Sequence, residues 1–97
     1  MSAVRIQPQA KRDLLDIWLW LARDNLALAD DVLDRVDERL KQLADFPELG
    51  VARPDIAPGA RSLLVERWLV LYHLNERGVN VVRIVDGVRD LSRAWKE

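Results

Sequence analysis

The sequence predicts an α+β fold, in which a short N-terminal strand precedes an antiparallel helical hairpin that packs on a small antiparallel β-sheet. Three observations lead to this prediction. Apolar residues recur at helical spacing between Gln9 and Phe46, a connector with prolines and a glycine follows, and the next residues up to Asp86 are rich in Val, Leu and Ile. The 97 residues have the length of one domain, whose core needs no disulfide or metal to hold it together.

The predicted first strand, Ala3–Ile6, is short and carries apolar side chains at alternate positions. Pro8 ends the strand and fits the first turn of a helix, where the missing N–H costs nothing. The helix that follows has an apolar face made of Leu14, Ile17, Trp18 and Leu21.

A second helix is expected after a break at residues 23–25, because Asp and Asn favour turns and caps over helix interiors. Asn25 is the expected cap, and Pro47 and Gly50 end the helix. So short a link makes the two helices antiparallel. The apolar stripe of the second helix is Ala29, Leu33, Val36, Leu40 and Leu43.

Three antiparallel strands are predicted after the connector, at Arg61–Val65, Trp68–Leu74 and Val79–Asp86. A loop over residues 75–78, which ends in a glycine, joins the last two. The middle strand is apolar on both faces, although helices cover only one face. Either another part of the chain or a partner covers the other face, and the roughly ten residues after Asp86 are too few to cover it fully. An exposed apolar face of this kind indicates a protein interface.

Composition excludes several classes of function. The chain has no cysteine, which removes thiol catalysis and cysteine-bound zinc, and its single histidine, His73, does not favour a metal site. No metal or cofactor is therefore expected. The first eight residues carry one charge and no continuous apolar stretch, and no apolar run approaches membrane-spanning length, so a soluble cytoplasmic protein without membrane contact is expected.

The net charge of −1 does not favour strong attraction to nucleic acid, and no direct sequence-specific DNA binding is expected. The charge is uneven, however. Residues 1–50 hold seven Lys or Arg against ten Asp or Glu, whereas residues 51–97 hold eight against six. The mildly basic second half is either a binding face or ordinary solvated surface.

The order of these parts resembles the RelE/ParE toxin superfamily, from Val4 to Asp90. The opening VRIQPQAKRDLLDIWLWLA resembles the family's first strand and helix. The segment LADFPELGVARPDIAPGARSLLVERWLVLYHL is more specific, because its order of residues matches the family pattern at Pro47, Gly50, Arg61 and Tyr72. VVRIVDGVRD resembles the last strand and the Arg-Asp pair after it.

The resemblance implies one of two activities. The RelE branch consists of ribonucleases that cut mRNA on the ribosome, whereas the ParE branch poisons DNA gyrase. RNA cleavage needs a proton acceptor, a proton donor and cations. Arg61 and Arg83 are available as cations, but no Tyr or His follows Asp86 and no lysine lies between Lys41 and Lys96. The ParE interpretation is therefore preferred, with no catalytic residue.

The candidate binding residues fall into two groups. An antitoxin is expected to bind at arginines of the sheet and at apolar side chains, and the target is expected to bind at the C-terminal segment, where Arg and Trp suit an interface hot spot. The alternatives are core packing for the tryptophans, ion pairing for the arginines, and for Leu91 and Trp95 a helical turn that covers the sheet edge. The antitoxin group is Trp18, Arg61, Trp68, Val70, Tyr72 and Arg83, and the target group is Arg89, Arg93 and Trp95.

The leading hypothesis is thus a non-enzymatic toxin that poisons DNA gyrase and is neutralised by a ParD-like antitoxin, which would fold on it in a hetero-oligomer. The first alternative is a metal-independent mRNA endonuclease of the RelE type. The second is a family member that only binds its antitoxin and tunes repression.

Overall fold

A computed structural model of the chain describes residues 3–87 and 91–95. The elements in chain order are β1 (Ala3–Ile6), α1 (Pro8–Ala22), α2 (Leu26–Asp45), β2 (Val51–Ala52), β3 (Arg61–Val65), β4 (Trp68–Asn75), β5 (Gly78–Asp86) and α3 (Leu91–Trp95). The predicted α+β arrangement, with a helical hairpin on one side of a sheet, is confirmed.

The sheet is larger than predicted and is mixed. Its strand order is β1-β5-β4-β3-β2, with β1 parallel to β5 and every other neighbouring pair antiparallel. The parallel pairing is possible because the chain crosses over through both helices and three strands before it returns beside β1. The prediction missed β2, whose two residues are too few to show any periodicity.

Both helices begin as their sequences predict. Pro8 occupies the start of α1, and the side chain of Asn25 accepts a hydrogen bond of 3.0 Å from the backbone N–H of Leu28 at the start of α2. The predicted stripe of α2 needs one change, because Val32 is buried and Leu33 is only half-buried.

The main core lies between the helical hairpin and the first face of the sheet. Leu14, Ile17 and Leu21 of α1 pack against it, as the helical spacing predicts. Its fully buried members from the sheet and α2 include Val36, Leu43, Val70, Tyr72 and Val81.

Of the two alternatives for the second face of the sheet, the structure shows cover by the chain itself, and the preferred alternative of an open apolar face that binds a partner is wrong. Leu71 and Val85 on this face are buried in a second core, together with Ile56 and Ala60 of the connector and Ala94 of α3. The connector turns back on itself, where the N–H of Arg53 donates to the carbonyl of Ala60 at 2.8 Å. The connector and α3 together cover this face of the sheet. The residues after Asp86 therefore do not have to cover it alone.

In the part of the chain that the structure describes, no helix is both long and apolar enough to cross a membrane.

Candidate interaction surface

The four residues that match the family pattern form one hydrogen-bonded cluster. The Tyr72 hydroxyl donates to the carbonyl of Pro47 and accepts from the N–H of Gly50, both at 2.8 Å. The Arg61 guanidinium donates to the carbonyl of Gly50, with its shorter contact at 2.7 Å, and to that of Glu48 at 3.1 Å. Arg61 and Tyr72 therefore hold the turn after α2 against β3 and β4.

Gly50 is required in this cluster because of the space it leaves. A Cβ atom at this position would lie 2.6 Å from the Tyr72 hydroxyl and 2.7 Å from the carbonyl oxygen of Ser62. The second contact is with backbone, which has little freedom to move away. The glycine in the family pattern thus permits the close approach of the turn to the sheet.

Arg83 reaches the second face of the sheet because β5 contains a bulge. Leu71 pairs with Arg83 and Tyr72 pairs with Val81, so Val82 has no partner in β4. The extra residue changes the alternation of side chains along the strand. As a result Val81 and Ile84 face the main core, while Arg83 and Val85 lie on the other side.

The Arg83 side chain is buried and pairs with Asp13, a buried residue of α1. Its Nε donates to Oδ2 of Asp13 at 2.7 Å and its Nη2 to Oδ1 at 3.1 Å, while Nη1 donates to the carbonyl of Ala94 at 3.1 Å. Asp13 Oδ2 also accepts from the backbone N–H of Ile84 at 3.0 Å. The strand β1 ends beside Val81, so the edge of β5 has no neighbouring strand beyond that residue. Asp13 supplies a hydrogen-bond acceptor to this edge instead.

The two arginines predicted to act as cations in RNA cleavage both have internal partners. Arg61 is bound to backbone carbonyls and Arg83 to a buried carboxylate.

His73 Nε2 accepts from Nδ2 of Asn80 at 2.9 Å, because Oδ1 of Asn80 already accepts from Gln7. Within residues 3–87 and 91–95, no three His, Cys, Asp or Glu side chains are grouped as metal ligands.

The remaining residues predicted to contact an antitoxin lie mostly inside the fold. Val70 and Trp68 belong to the main core with Tyr72. Trp18 is half-buried, and its Nε1 donates to Asp30 across the helical hairpin at 3.0 Å. The structure thus assigns an internal contact to every member of this group, and a contribution of any of them to a partner interface stays a prediction.

The exposed apolar surface lies elsewhere, on α1. Leu15 and Leu19 are 56% and 50% exposed and lie one turn apart, on the side of the helix opposite its buried residues. Trp20 is 52% exposed, but it follows Leu19 directly in the helix and therefore points to a different side. We call Leu15 and Leu19 the α1 patch. Sequence reasoning passed over the two leucines, although their i,i+4 spacing off the buried stripe was the available signal.

Trp20 belongs to a separate charged and aromatic site at the β3–β4 turn. The Arg67 guanidinium lies 5.3 Å from the Trp20 ring and 5.7 Å from the Trp68 ring, and it pairs with Asp86. Cavities of about 220 and 340 Å³ open on either side of these three side chains. The preceding residue, Glu66, has a φ of 57°, a strained value for a residue other than glycine.

The C-terminal segment is partly built into the fold. Ala94 is buried, and the Trp95 ring meets the His73 ring edge to face at 5.8 Å. Arg93 is exposed to solvent, and Arg89 lies outside the described residues. The alternative interpretation of Leu91 and Trp95, a helical turn that covers the sheet, therefore matches the structure.

The ion pair between Arg53 and Asp55 shifts the pKa values of both side chains. The Arg53 guanidinium donates to Asp55 at 2.9 and 3.0 Å, which lowers the pKa of the Asp55 carboxyl and raises the pKa of Arg53. This pair lies in the connector that covers the second face of the sheet.

The chain is similar to a known protein family, to a curated toxin and to a chain of a solved structure. Residues 4–91 match the family described as "ParE toxin of type II toxin-antitoxin system, parDE". The curated protein Toxin ParE3 of Caulobacter vibrioides is 38% identical over 69 residues, which are 71% of this chain and 69% of that protein. A chain of the solved structure "Chromosomal ParDE TA system from P. aeruginosa" is 21% identical with a TM-score of 0.75, over 89% of this chain and 96% of the matched one.

Proposed function

Because the chain belongs to the ParE family of type II toxin-antitoxin systems, we propose that it is a toxin that poisons DNA gyrase and is neutralised by a ParD-like antitoxin. The gyrase part of the proposal rests on the family. The antitoxin part rests on the family and on the exposed apolar surface of α1.

The α1 patch is the single observation that best supports an antitoxin partner. Two leucines, each about half exposed, lie one turn apart on a helix whose other face is already in the core. Contiguous apolar surface of this kind indicates a protein interface. We propose that the antitoxin segment orders on this surface as it binds, in a hetero-oligomer.

Two observations support a toxin that is not an enzyme. Arg61 and Arg83, the cations expected to assist RNA cleavage, are bound to internal partners. The Tyr72 hydroxyl is bound to Pro47 and Gly50 in a buried position. A proton donor or acceptor in RNA cleavage has to reach the scissile group, which a buried hydroxyl with two partners does not.

Purified toxin, DNA gyrase and supercoiled plasmid test the gyrase part directly. We expect linear plasmid to accumulate as a trapped cleaved complex, and we expect excess antitoxin to prevent it. Full supercoiling activity at saturating toxin would contradict this. In a parallel reaction ribosome-bound mRNA should stay intact, and cuts at defined codon positions would show that the ribonuclease alternative is the right one.

Antitoxin binding is tested with two leucines that are similarly exposed. Leu19→Ser alters the α1 patch, whereas Leu64→Ser alters a leucine that is 59% exposed on the second face of the sheet. Burial of the exposed half of a leucine side chain contributes about 1 kcal/mol of binding free energy, which is roughly fivefold in Kd. We expect that weakening for Leu19→Ser only, and equal affinities of both variants for the antitoxin would contradict the proposed surface.

The predicted target residues stay a proposal of their own. Arg93 and Trp95 stand at the end of the described chain, and Trp95 is half-buried against His73. We propose that the surface formed by α3 contacts the target, with Arg89 as a further candidate.

A further inference from the structure

A polar cleft lies between β1 and the tip of the β4–β5 hairpin, away from the α1 patch. Its volume is about 300 Å³, and its polar lining is Arg5, Gln7, Asn75, Arg77 and Asn80. None of these residues belongs to the clusters around Arg61, Arg83 or Arg67.

Strand register brings the two arginines to the same cleft. Arg5 of β1 stands beside Asn80 of β5, and side chains of directly opposite residues share a face of the sheet. Asn75 fixes the hairpin turn, because its Oδ1 accepts from the N–H groups of Arg77 and Gly78 at 2.9 and 3.1 Å. Arg77, two residues beyond Asn75 in this turn, lines the same cleft as Arg5.

The hydrogen bonds within the cleft leave it with a surplus of donors. Oδ1 of Asn80 accepts from Gln7 Nε2, and Oδ1 of Asn75 accepts from the backbone of the turn. The amide nitrogen of Asn75 and the second hydrogen on Gln7 Nε2 are left to donate. Among the residues that the structure describes, no Asp or Glu lines the cleft, and neither guanidinium has a hydrogen-bond or ion-pair partner.

We propose that this cleft binds a phosphate group. Two guanidinium groups and two amide donors surround one cavity. A phosphate offers three or more oxygens and up to two negative charges, which matches two cations, whereas a carboxylate offers two oxygens and one charge. The cleft is a single cavity on a chain of net charge −1, so it recognises one phosphate and not a long stretch of nucleic acid.

Titration calorimetry of the full chain with inorganic phosphate, at constant ionic strength in chloride, tests the proposal. The test variant is Arg5→Gln with Arg77→Gln. The control is Arg12→Gln with Arg23→Gln, which removes the same charge from two exposed arginines of the first helix and its end. We expect Kd for phosphate to rise about tenfold or more in the test variant and to change less than about twofold in the control.

Three results would overturn the proposal: unchanged binding in the test variant, an equal loss in the control variant, or glutarate binding as tightly as phosphate. A measurement on the unaltered chain tests the same cleft without any substitution. Phosphate should shift the backbone amide resonances of residues 75–80 more than those of α1, and shifts confined to other residues would also overturn it.

Two further ligands identify the source of the phosphate. Adenosine monophosphate represents small phosphate esters, and a single-stranded oligothymidylate represents a nucleic-acid strand. The ligand that binds more tightly and loses affinity in the test variant identifies the source. Loss for neither ligand would contradict the assignment of the cleft.

Discussion

Arg83 and Asp13 join three parts of the molecule through one buried ion pair. The guanidinium belongs to β5, the carboxylate to α1, and the same guanidinium donates to the carbonyl of Ala94 in α3. Both side chains are more than nine-tenths buried. Such a pair contributes little net stability over an apolar replacement, but the loss of one partner leaves a charge without compensation.

Arg83→Met is therefore expected to lower the free energy of unfolding by about 3–5 kcal/mol in urea denaturation. Adding Asp13→Asn removes the uncompensated charge and keeps an oxygen that accepts from the N–H of Ile84. The double variant should thus regain part of the loss. A double variant less stable than Arg83→Met alone would contradict the role assigned to the pair.

The sequence contains signals for both residues, but it does not pair them. Arg83 interrupts an apolar strand, and Asp13 stands between Ala10 and Ile17 on the buried side of α1. The two are separated by 70 positions. Without the bulge at Val82, strand alternation puts Arg83 on the face of Val81, and one sequence does not reveal a bulge.

At the level of elements, α3 belongs to the fold to a larger extent than the sequence predicted. Ala94 is buried in the second core, and its carbonyl accepts from Arg83. The hypothesis of an accessible C-terminal segment expects that deletion of residues 92–97 leaves unfolding nearly unchanged. The contacts of Ala94 and Trp95 indicate the opposite.

Deletion of residues 92–97 is expected to lower the midpoint of thermal unfolding, because it uncovers Leu71 and Val85 and removes a partner of Arg83. The deletion removes apolar burial that contributes about a few kcal/mol to the free energy of unfolding. Trp95→Ala is the smaller test and should lower the midpoint less. An unchanged midpoint in both variants would restore the interpretation of a segment used only for binding.

The connector provides a pH-dependent contribution through Asp55. Hydrogen bonds from Arg53 lower the pKa of this carboxyl from its ordinary 3.8, so the folded form favours the ionised state. The contribution is present above the unfolded pKa and is lost as pH falls through the lowered folded value. The protection of residues 53–60, measured as hydrogen exchange relative to the intrinsic rate at each pH, should thus fall in acid.

Asp55→Asn is the matched variant for this measurement, because it removes the titrating group and keeps the shape of the side chain. The connector of this variant should be less protected from exchange at neutral pH, and its protection should change less as the pH falls. Because the pair is largely exposed, the effect should stay local to the connector. Identical acid profiles for the two proteins would contradict the assignment.

The elements that the sequence predicts well are those with local signals. Pro8 and Asn25 mark helix starts, and the strand limits at Arg61 and Val65 follow from composition. The parallel neighbour of β1 and the covering of the second face depend on residues far apart in the chain, such as Ile56 against Leu71. Local patterns carry no information about such pairs.

At the level of the whole molecule, the covered and uncovered apolar surfaces differ from the predicted ones. The second face of the sheet is largely closed, while Leu15, Leu19 and Trp20 are open on α1. The surface expected to bind a partner thus moves from the sheet to the helical hairpin. The candidate site is therefore the part of the molecule that the sequence predicted least well.

The free chain is expected to self-associate through the α1 patch. Leu15→Ser with Leu19→Ser should weaken self-association in sedimentation equilibrium, because it removes apolar surface that a second copy would bury. The two side chains are about half exposed, so the variant should unfold at nearly the same urea concentration. A wild-type chain that stays monomeric at high concentration would contradict this.

The parallel pairing of β1 with β5 governs when the protein can fold during its synthesis. Gln7 near the start of the chain is bonded to Asn80, which is made 73 residues later. Contacts so distant in sequence slow folding, since a long loop must close before they form. The N-terminal strand and both helices leave the ribosome well before β5. They cannot pack in their final positions until β5 is present between β1 and β4. The toxin should thus acquire its structure only after β5 has been synthesised, so a partner that recognises the folded chain can bind only from then on.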